Sequence, residues 1–268
     1  MQEQLMEKVM EEVMKKLGTP GEETCEAPAA KVEPKKVEKA CRLTEFVGTA
    51  IGETLGLVIA NVDHSLHEFM KLDKKYRSIG IIGARTGAGP HIMAADEAVK
   101  ATNTEIISIE LPRDTQGGAG HGCLILFGAE DVSDARRAVE VCLKELDRTF
   151  GDVYANAAGH IELQYTARAS YACNKAWNAP LGKAFGLIVG APAAIGVMIC
   201  DTAVKAANVD IIGYASPSTT SYSNESILFI SGDSGAVRQA VLAAKEVGVT
   251  LLEALGGEEA PSVTTPYI

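Results

Sequence analysis

The amino-acid sequence contains two copies of one pattern, separated by 102 to 106 residues. The segment 96–103 (DEAVKATN) returns as 201–208 (DTAVKAAN), identical at six of eight positions, and the apolar segment 80–83 (GIIG) returns as 186–190 (GLIVG). An offset of this length corresponds to a small domain rather than to a solenoid unit. The chain of 268 residues therefore predicts two copies of one domain.

Hydrophobic periodicity predicts the same order of elements in each copy: strand, helix, strand, helix, two strands joined by a long loop, and a final helix. The predicted strands cover 54–60, 78–83, 105–110 and 123–128, then 160–168, 184–190, 209–214 and 227–231. The predicted helices cover 62–72, 87–102 and 133–149, then 171–177, 195–208 and 235–255. The expected domain boundaries are 45–151 and 152–257, followed by a loose C-terminal tail at 258–268.

The first 44 residues differ from the two domains. Residues 1–17 carry an apolar stripe at helical spacing and end at Gly18, which predicts a short amphipathic helix. Residues 18–44 have three prolines and no periodicity, as in a flexible linker. A helix of this length is marginal alone, so we expect it to bind a partner; the alternative is that it folds back onto its own domain. The stripe consists of Leu5, Met6, Val9, Met10, Val13, Met14 and Leu17.

The composition excludes several function classes. A formal net charge of −10 argues against binding nucleic acid or an anionic membrane surface. The N-terminus lacks a basic segment followed by an apolar one, and no apolar run approaches membrane-spanning length, so a cytoplasmic protein is expected. The six cysteines form no CxxC pair, and His64, His67 and Glu68 have no further ligand nearby, so no metal or other cofactor is predicted.

Three short motifs imitate a short-chain dehydrogenase: the glycine turn 83–89, Asn156 to Gly159, and Tyr171 with Lys175. Two observations oppose this enzyme. Tyr171 lies only 15 residues beyond Asn156, whereas that family places its catalytic pair much further on. The second copy keeps the flanking strand and helix but loses the glycine pattern, so the glycines are expected to serve packing. No nucleophile elbow or Walker loop is present, and a non-enzyme is predicted.

The repeated DxAVKAxN helix, followed by strand, loop, strand and helix, resembles the bacterial microcompartment shell domain. Two such domains in one chain resemble its tandem-domain members, most closely the propanediol-utilisation type. The resemblance covers about residues 45–257, and each copy begins with an additional strand and helix, as a circularly permuted domain would. It is carried by the segments 85–90 (RTGAGP), 112–115 (PRDT), 120–122 (GHG), 149–152 (TFGD) and 231–240 (SGDSGAVRQA).

The resemblance implies an α/β (α+β) fold in which each domain is a small, mainly antiparallel sheet flanked by helices. It also implies a homotrimeric, pseudohexagonal tile in a microcompartment shell, where the protein contacts other shell proteins. Lys100 and Lys205 match the family's tile-edge lysine, and the N-terminal stripe resembles peptides that attach enzymes to shells. An alternative is a redox tile with an iron–sulfur cluster, for which the nearest cysteine is Cys123.

The two inter-strand loops match the family's pore loop, which implies a central pore for small polar metabolites. In the first copy the implied pore-lining residues are Thr115, Gln116, Gly117, Gly118, Ala119, Gly120 and His121. In the second they are Ser218, Thr219, Thr220, Ser221, Tyr222, Ser223 and Asn224.

Overall fold

The structure, a computed structural model, describes residues 41–112, 122–220 and 223–268. They form two five-stranded antiparallel sheets, with strand orders β1-β2-β3-β5-β4 and β6-β7-β8-β10-β9. The first sheet contains β1 (Phe46–Ala50), β2 (Thr54–Ile59), β3 (Ser78–Ala84), β4 (Glu105–Glu110) and β5 (Cys123–Ala129). The second contains β6 (Val153–Asn156), β7 (Gly159–Thr166), β8 (Ala184–Ala191), β9 (Asp210–Ala215) and β10 (Ser226–Gly232).

Three helices accompany each sheet at corresponding places in the chain. Domain 1 has α1 (His64–Phe69), α2 (Ala88–Lys100) and α3 (Val132–Thr149). Domain 2 has α4 (Tyr171–Trp177), α5 (Ala193–Ala206) and α6 (Ser234–Gly256). The duplication, the sheet type and all the predicted strands and helices of residues 54–257 are confirmed, with end shifts of a few residues. The predicted N-terminal helix and linker lie outside the described residues, apart from 41–44.

Sequence analysis missed β1 and β6, the short outer strands that open each sheet. Both pair with the following strand in a tight hairpin; Gly52 and Glu53 turn the first one with positive φ values of 76° and 52°. Strands of four or five residues carry too few apolar positions to show a period of two.

Glycines at equivalent strand positions let the long helices lie directly on the sheets. A Cβ on Gly80 would lie 2.8 Å from the Ala135 carbonyl oxygen of α3. A Cβ on Gly186 would lie 3.0 Å from Val237 of α6. The repeated glycine is therefore a packing requirement, and it explains why the segment 80–83 recurs in the sequence.

The predicted loose tail is wrong, because residues 258–268 pack along the edge of β6. The Ala155 amide donates to the Pro261 carbonyl oxygen, and the Val263 amide donates to that of Val153. Asp152 accepts hydrogen bonds from the amides of Tyr267 and Ile268 at 3.0 to 3.3 Å. Polar side-chain caps and edge pairing of this kind have no periodic signal in the sequence.

Within the described ranges, no helix is both long enough and apolar enough to span a membrane.

Candidate functional site: the junction between the domains

Asp96 of α2 is the centre of the junction between the two domains. Its side chain is fully buried and accepts hydrogen bonds from the amides of Ser170 (2.9 and 3.0 Å) and Cys173 (3.1 Å) at the start of α4. Lys100, one turn later, lies 2.9 Å from Asp96. The Ser170 side chain makes no capping hydrogen bond. The amino end of α4 is therefore capped by a carboxylate from the other domain.

Apolar side chains interlock around this cap. Met93 of α2 is 2% exposed and belongs to a hydrophobic cluster of domain 2, where its sulfur lies 3.6 Å from Cys173 Sγ. In the other direction, Ala172, Ala176 and Trp177 of α4 pack into the core of domain 1. Each domain thus completes the core of the other, and the two domains form one compact unit.

The equivalent surface of domain 2 is left exposed by the part of the chain that the structure describes. Val197 and Met198 occupy the positions in α5 that Ile92 and Met93 occupy in α2, yet they are 53% and 49% exposed, against 0% and 2%. Ile211 of β9 is 58% exposed, whereas its counterpart Ile106 of β4 is 9% exposed. In domain 1 the helix that corresponds to α4 is α1. Its apolar side chains are also exposed, Leu66 by 46% and Phe69 by 88%. The chain therefore carries one filled junction and two unfilled halves of the same junction.

A small, partly open cavity lies within the filled junction. Glu162 of β7 and Glu225, just before β10, supply its carboxylates, and the Trp177 ring, stacked at 5.3 Å on Phe185, lies in its wall. The remaining lining is mostly apolar: Ala88, Gly89, Ile92, Leu111, Leu187, Val189, Ile227 and Phe229.

Glu162 occupies an unusual electrostatic position in this cavity. Its Oε1 is fully buried, lies against Gly89 and has no hydrogen-bond partner among the described residues. Burial, together with the nearby charge of Glu225, raises the pKa of Glu162 to about 8. Glu225 has partners of its own: His160 Nε2 lies 3.4 Å from Oε1, and Ser223 Oγ lies 3.0 Å from Oε2. Glu162 is therefore largely protonated at neutral pH.

This raised pKa predicts a pH-dependent cost. The folded state keeps the Glu162 proton to about pH 8, while the unfolded state loses it near pH 4.5, so stability falls as pH rises through that window. Each pH unit there costs about 1.4 kcal/mol. Glu162→Gln removes the titration, so its free energy of unfolding, relative to wild type, should increase from pH 5 to pH 8 in urea titrations.

The matched control for this experiment is Glu140→Gln, because Glu140 is an exposed residue that pairs with Arg137 at 3.6 Å. Its difference from wild type should stay within about 0.5 kcal/mol at both pH values. Parallel pH profiles for Glu162→Gln and wild type would show that Glu162 ionises normally in the folded protein.

The second predicted pore loop adjoins this cavity. The hydroxyls of Thr219 and Thr220 donate to the Ser216 carbonyl oxygen at 3.0 and 3.1 Å, and they also accept, from the Ser216 amide at 2.9 Å and the Ser223 hydroxyl at 2.7 Å, so their hydrogen bonds stay within the loop. Ser218 Oγ lies 2.9 Å from Ser216 Oγ, and Asn224 Oδ1 accepts from the Ala193 amide at 3.1 Å. Residues 115–121, 221 and 222 of the predicted pore lie outside the described residues.

The two predicted tile-edge lysines have different surroundings. Lys100 is 24% exposed and contacts Glu97 (2.8 Å) as well as Asp96. Lys205 is 73% exposed and contacts Asp201 alone among the described carboxylates, at 2.6 Å. Lys100 is thus committed to the filled junction, whereas Lys205 extends from the unfilled one.

The dehydrogenase-like glycines have a structural role. A Cβ on Gly87 would collide with the Phe150 ring, and one on Gly89 would collide with the Glu162 carboxyl group. The start of α2 is therefore filled by protein, and by an acidic group where that enzyme family binds a pyrophosphate. Tyr171 is exposed, on the same short helix as Lys175.

The described residues likewise offer no assembled cation site. They contain no group of three or more histidine, cysteine or acidic side chains that could hold a metal ion. His67 is half-buried and contacts the Tyr76 carbonyl oxygen at 3.0 Å. Burial raises the pKa of Cys123 to about 12, which disfavours the thiolate that an iron–sulfur cluster requires.

Comparison with known proteins agrees with the two-sheet architecture. The model of the BMC domain family matches residues 78–161 and 184–258. The chain belongs to the bacterial microcompartment domain family. The first match begins at β3 and runs into β7, which pairs in the second sheet, while β1 and β2 complete the first sheet. The position at which each BMC domain begins is therefore permuted, as the sequence predicted.

Individual relatives are similar over most of the chain. The bacterial microcompartment shell protein PduB of Salmonella typhimurium is 65% identical over 257 residues, 95% of either chain. The crystal structure of a trimeric microcompartment shell protein PduB covers 84% of this chain and all of its own, with 54% identity and a TM-score of 0.81. EtuB from Clostridium kluyveri covers 85% of this chain and all of its own, with 55% identity and a TM-score of 0.82.

Asp96, Glu162 and Glu225 are site residues that sequence analysis did not select. Asp96 belongs to the repeated motif, but the motif alone does not distinguish a buried copy from an exposed one. Glu162 leaves no signal either, because it stands with His160, Gln164 and Thr166 on the polar positions of an alternating strand; Leu55 holds the same position in domain 1. The register fixes this equivalence: Leu55 pairs with Gly83 of β3, and Glu162 pairs with Val189 of β8.

Proposed function

We propose that this chain is a structural shell protein of a bacterial microcompartment, that it forms a homotrimeric pseudohexagonal tile, and that it is not an enzyme. The observation that carries the proposal is the pair of unfilled half-junctions. The open α5 and β9 face of domain 2 corresponds to the α2 and β4 face that domain 1 buries against α4. The open α1 of domain 1 corresponds to α4.

When the α5 and β9 face of one copy binds α1 of the next copy, the contact repeats the intrachain junction, and the copies are arranged head to tail. Such a heterologous contact forms a ring when the rotation closes and a filament when it does not. Closure at three chains, and thus six domains, is supported by the trimeric PduB that is 54% identical to this chain. The shell location is supported by the similarity of this chain to that shell protein and to the Salmonella shell protein.

The pore of the tile is the finer part of the proposal. The loops 115–121 and 218–224 line a central opening for small polar metabolites. Support comes from the polar composition of the loops and from the Ser223 contact with Glu225, which connects the second loop to the acidic cavity. Lys100 and Lys205, each beside the aspartate of its own helix, are proposed to reach the tile edge, where other shell proteins lie.

The solution mass of the full-length chain tests the tile. Sedimentation velocity should give three times 28.2 kDa, and negative-stain images should show flat hexagonal particles. A stable monomer or a compact dimer would contradict the proposal.

The N-terminal helix 1–17 is proposed to bind encapsulated enzymes. Changing Val9 and Val13 to Glu places two charges in the apolar stripe, so enzymes that co-purify with intact shells should decrease at least tenfold on quantitative mass spectrometry, while tiles still form. Gln2→Glu with Gln4→Glu is the matched control, because it adds the same charge outside the stripe. Unchanged co-purification of the Val9 and Val13 variant would refute this role.

A further inference from the structure

The two kinds of junction in the proposed ring differ at the helix end that Asp96 caps. Within the chain, α4 has Ser170 as its N-cap residue, and the buried Asp96 accepts hydrogen bonds from the amides of Ser170 and Cys173. The corresponding helix α1 begins after Asp63, which occupies the place of Ser170. Leu66 occupies the place of Cys173, since each is the third residue of its helix.

Asp63 already caps its own helix. Its Oδ1 accepts from the amides of Ser65 at 2.9 Å and Leu66 at 3.3 Å. The Leu66 amide is the counterpart of the Cys173 amide that Asp96 uses. When α1 meets the α5 face of another copy, that donor is therefore already taken.

Asp201 is the residue that would arrive at this helix end, because it holds in α5 the position that Asp96 holds in α2. In the single chain it is 49% exposed, and Lys205, at 2.6 Å, is its partner. We infer that the junction between copies brings Asp201 of one copy against Asp63 of the next, a pair of carboxylates that Lys205 only partly compensates. At the intrachain junction the N-cap residue is Ser170, so Asp96 meets no carboxylate at the helix end, and Lys100 contacts both Asp96 and Glu97.

This inference rests on the proposed ring. It makes the junction between copies the weaker of the two kinds, and the place where the trimer comes apart. Like charges placed opposite each other at an interface weaken association and are a common means of setting which contacts form. His64 and Glu68, also exposed on α1, lie 3.8 Å apart, and at neutral pH they add no net positive charge to this end.

Asp63→Ser tests the inference, because it gives α1 the N-cap residue of α4 and removes the carboxylate that Asp201 would meet. Serine and aspartate cap helices about equally well, so the fold should be unaffected. The protein concentration at which half the trimer dissociates should fall about tenfold or more in sedimentation velocity of the full-length protein. Asp201→Asn should also lower it.

Asp131→Ser is the matched control, since it makes the same substitution at the N-cap residue of α3, away from α1 and α5. It should leave the half-dissociation concentration unchanged. Because Asp63→Ser and Asp201→Asn remove the same repulsion, the double variant should gain less than the two single gains added together. If wild-type dissociation lies below detection, the rate of subunit exchange between tagged and untagged trimers, read by native mass spectrometry, replaces it.

The outcomes separate this inference from the proposed function. A wild-type trimer whose association is unchanged or weakened by Asp63→Ser overturns the inference and leaves the tile intact. Fully additive gains also overturn it, because they show that the two carboxylates act at separate places. A wild-type monomer overturns both.

Discussion

Asp96→Ala is expected to lower the free energy of unfolding by about 3–5 kcal/mol, because it leaves two buried amides without an acceptor and removes one partner of a half-buried lysine. Chemical unfolding followed by far-UV circular dichroism, at several protein concentrations, measures this change. The loss should persist at concentrations where the protein is monomeric, because Asp96 joins the two domains within one chain.

Asp201→Ala is the control that the repeat supplies. The same residue type lies at the same helix position, but it is half-exposed, and its partner is Lys205 at 2.6 Å. An exposed ion pair contributes about 0–1 kcal/mol, so the single-chain stability should hardly change. Equal losses for the two variants would show that the Asp96 cap contributes nothing beyond an ordinary surface ion pair.

Val197→Asp is expected to convert the trimer into a well-folded monomer. Val197 is 53% exposed in the single chain, so an aspartate there remains hydrated and the melting temperature should change little. In the ring it would occupy the position of Ile92, which is fully buried in the equivalent junction. Burying an unpaired carboxylate costs several kcal/mol, and a trimer would have to bury three. Size-exclusion chromatography with light scattering measures the mass.

Val132→Asp provides the comparison for Val197→Asp, because Val132 is 40% exposed at the start of α3 and lies outside both half-junctions. It should remain trimeric. If the Val197→Asp variant is still a trimer, the assignment of the α5 face to the contact between copies is wrong.

Much of this architecture could be predicted because burial inside one domain leaves a periodic trace. The apolar segments 80–83 and 186–190 are strands that are covered by helices, and both were located correctly. The repeat of 96–103 at 201–208 predicted two domains for a physical reason: the same fold requires the same apolar positions and the same glycines.

The junction could not be predicted, since it depends on which surface meets which. Asp96 and Asp201 open the same repeated motif, yet one is buried and the other is half-exposed. Only the position of α4 against α2 decides between them. The prediction of a loose C-terminal tail was wrong for a similar reason: the contacts of the tail with Asp152 and β6 join segments that are more than 100 residues apart.

One strand position holds Leu55 in domain 1 and Glu162 in domain 2, a difference that only a duplicated chain can have. In a ring of six identical domains, any substitution appears at all six junctions, so a costly group must be tolerated six times. In a chain of two domains, the substitution appears at alternate junctions. Glu162 introduces a buried acidic group within each chain, while in the proposed ring Leu55, 41% exposed in the single chain, would keep the corresponding position between chains apolar. A two-domain chain can therefore carry an acidic group at three junctions of a ring while the other three junctions stay apolar.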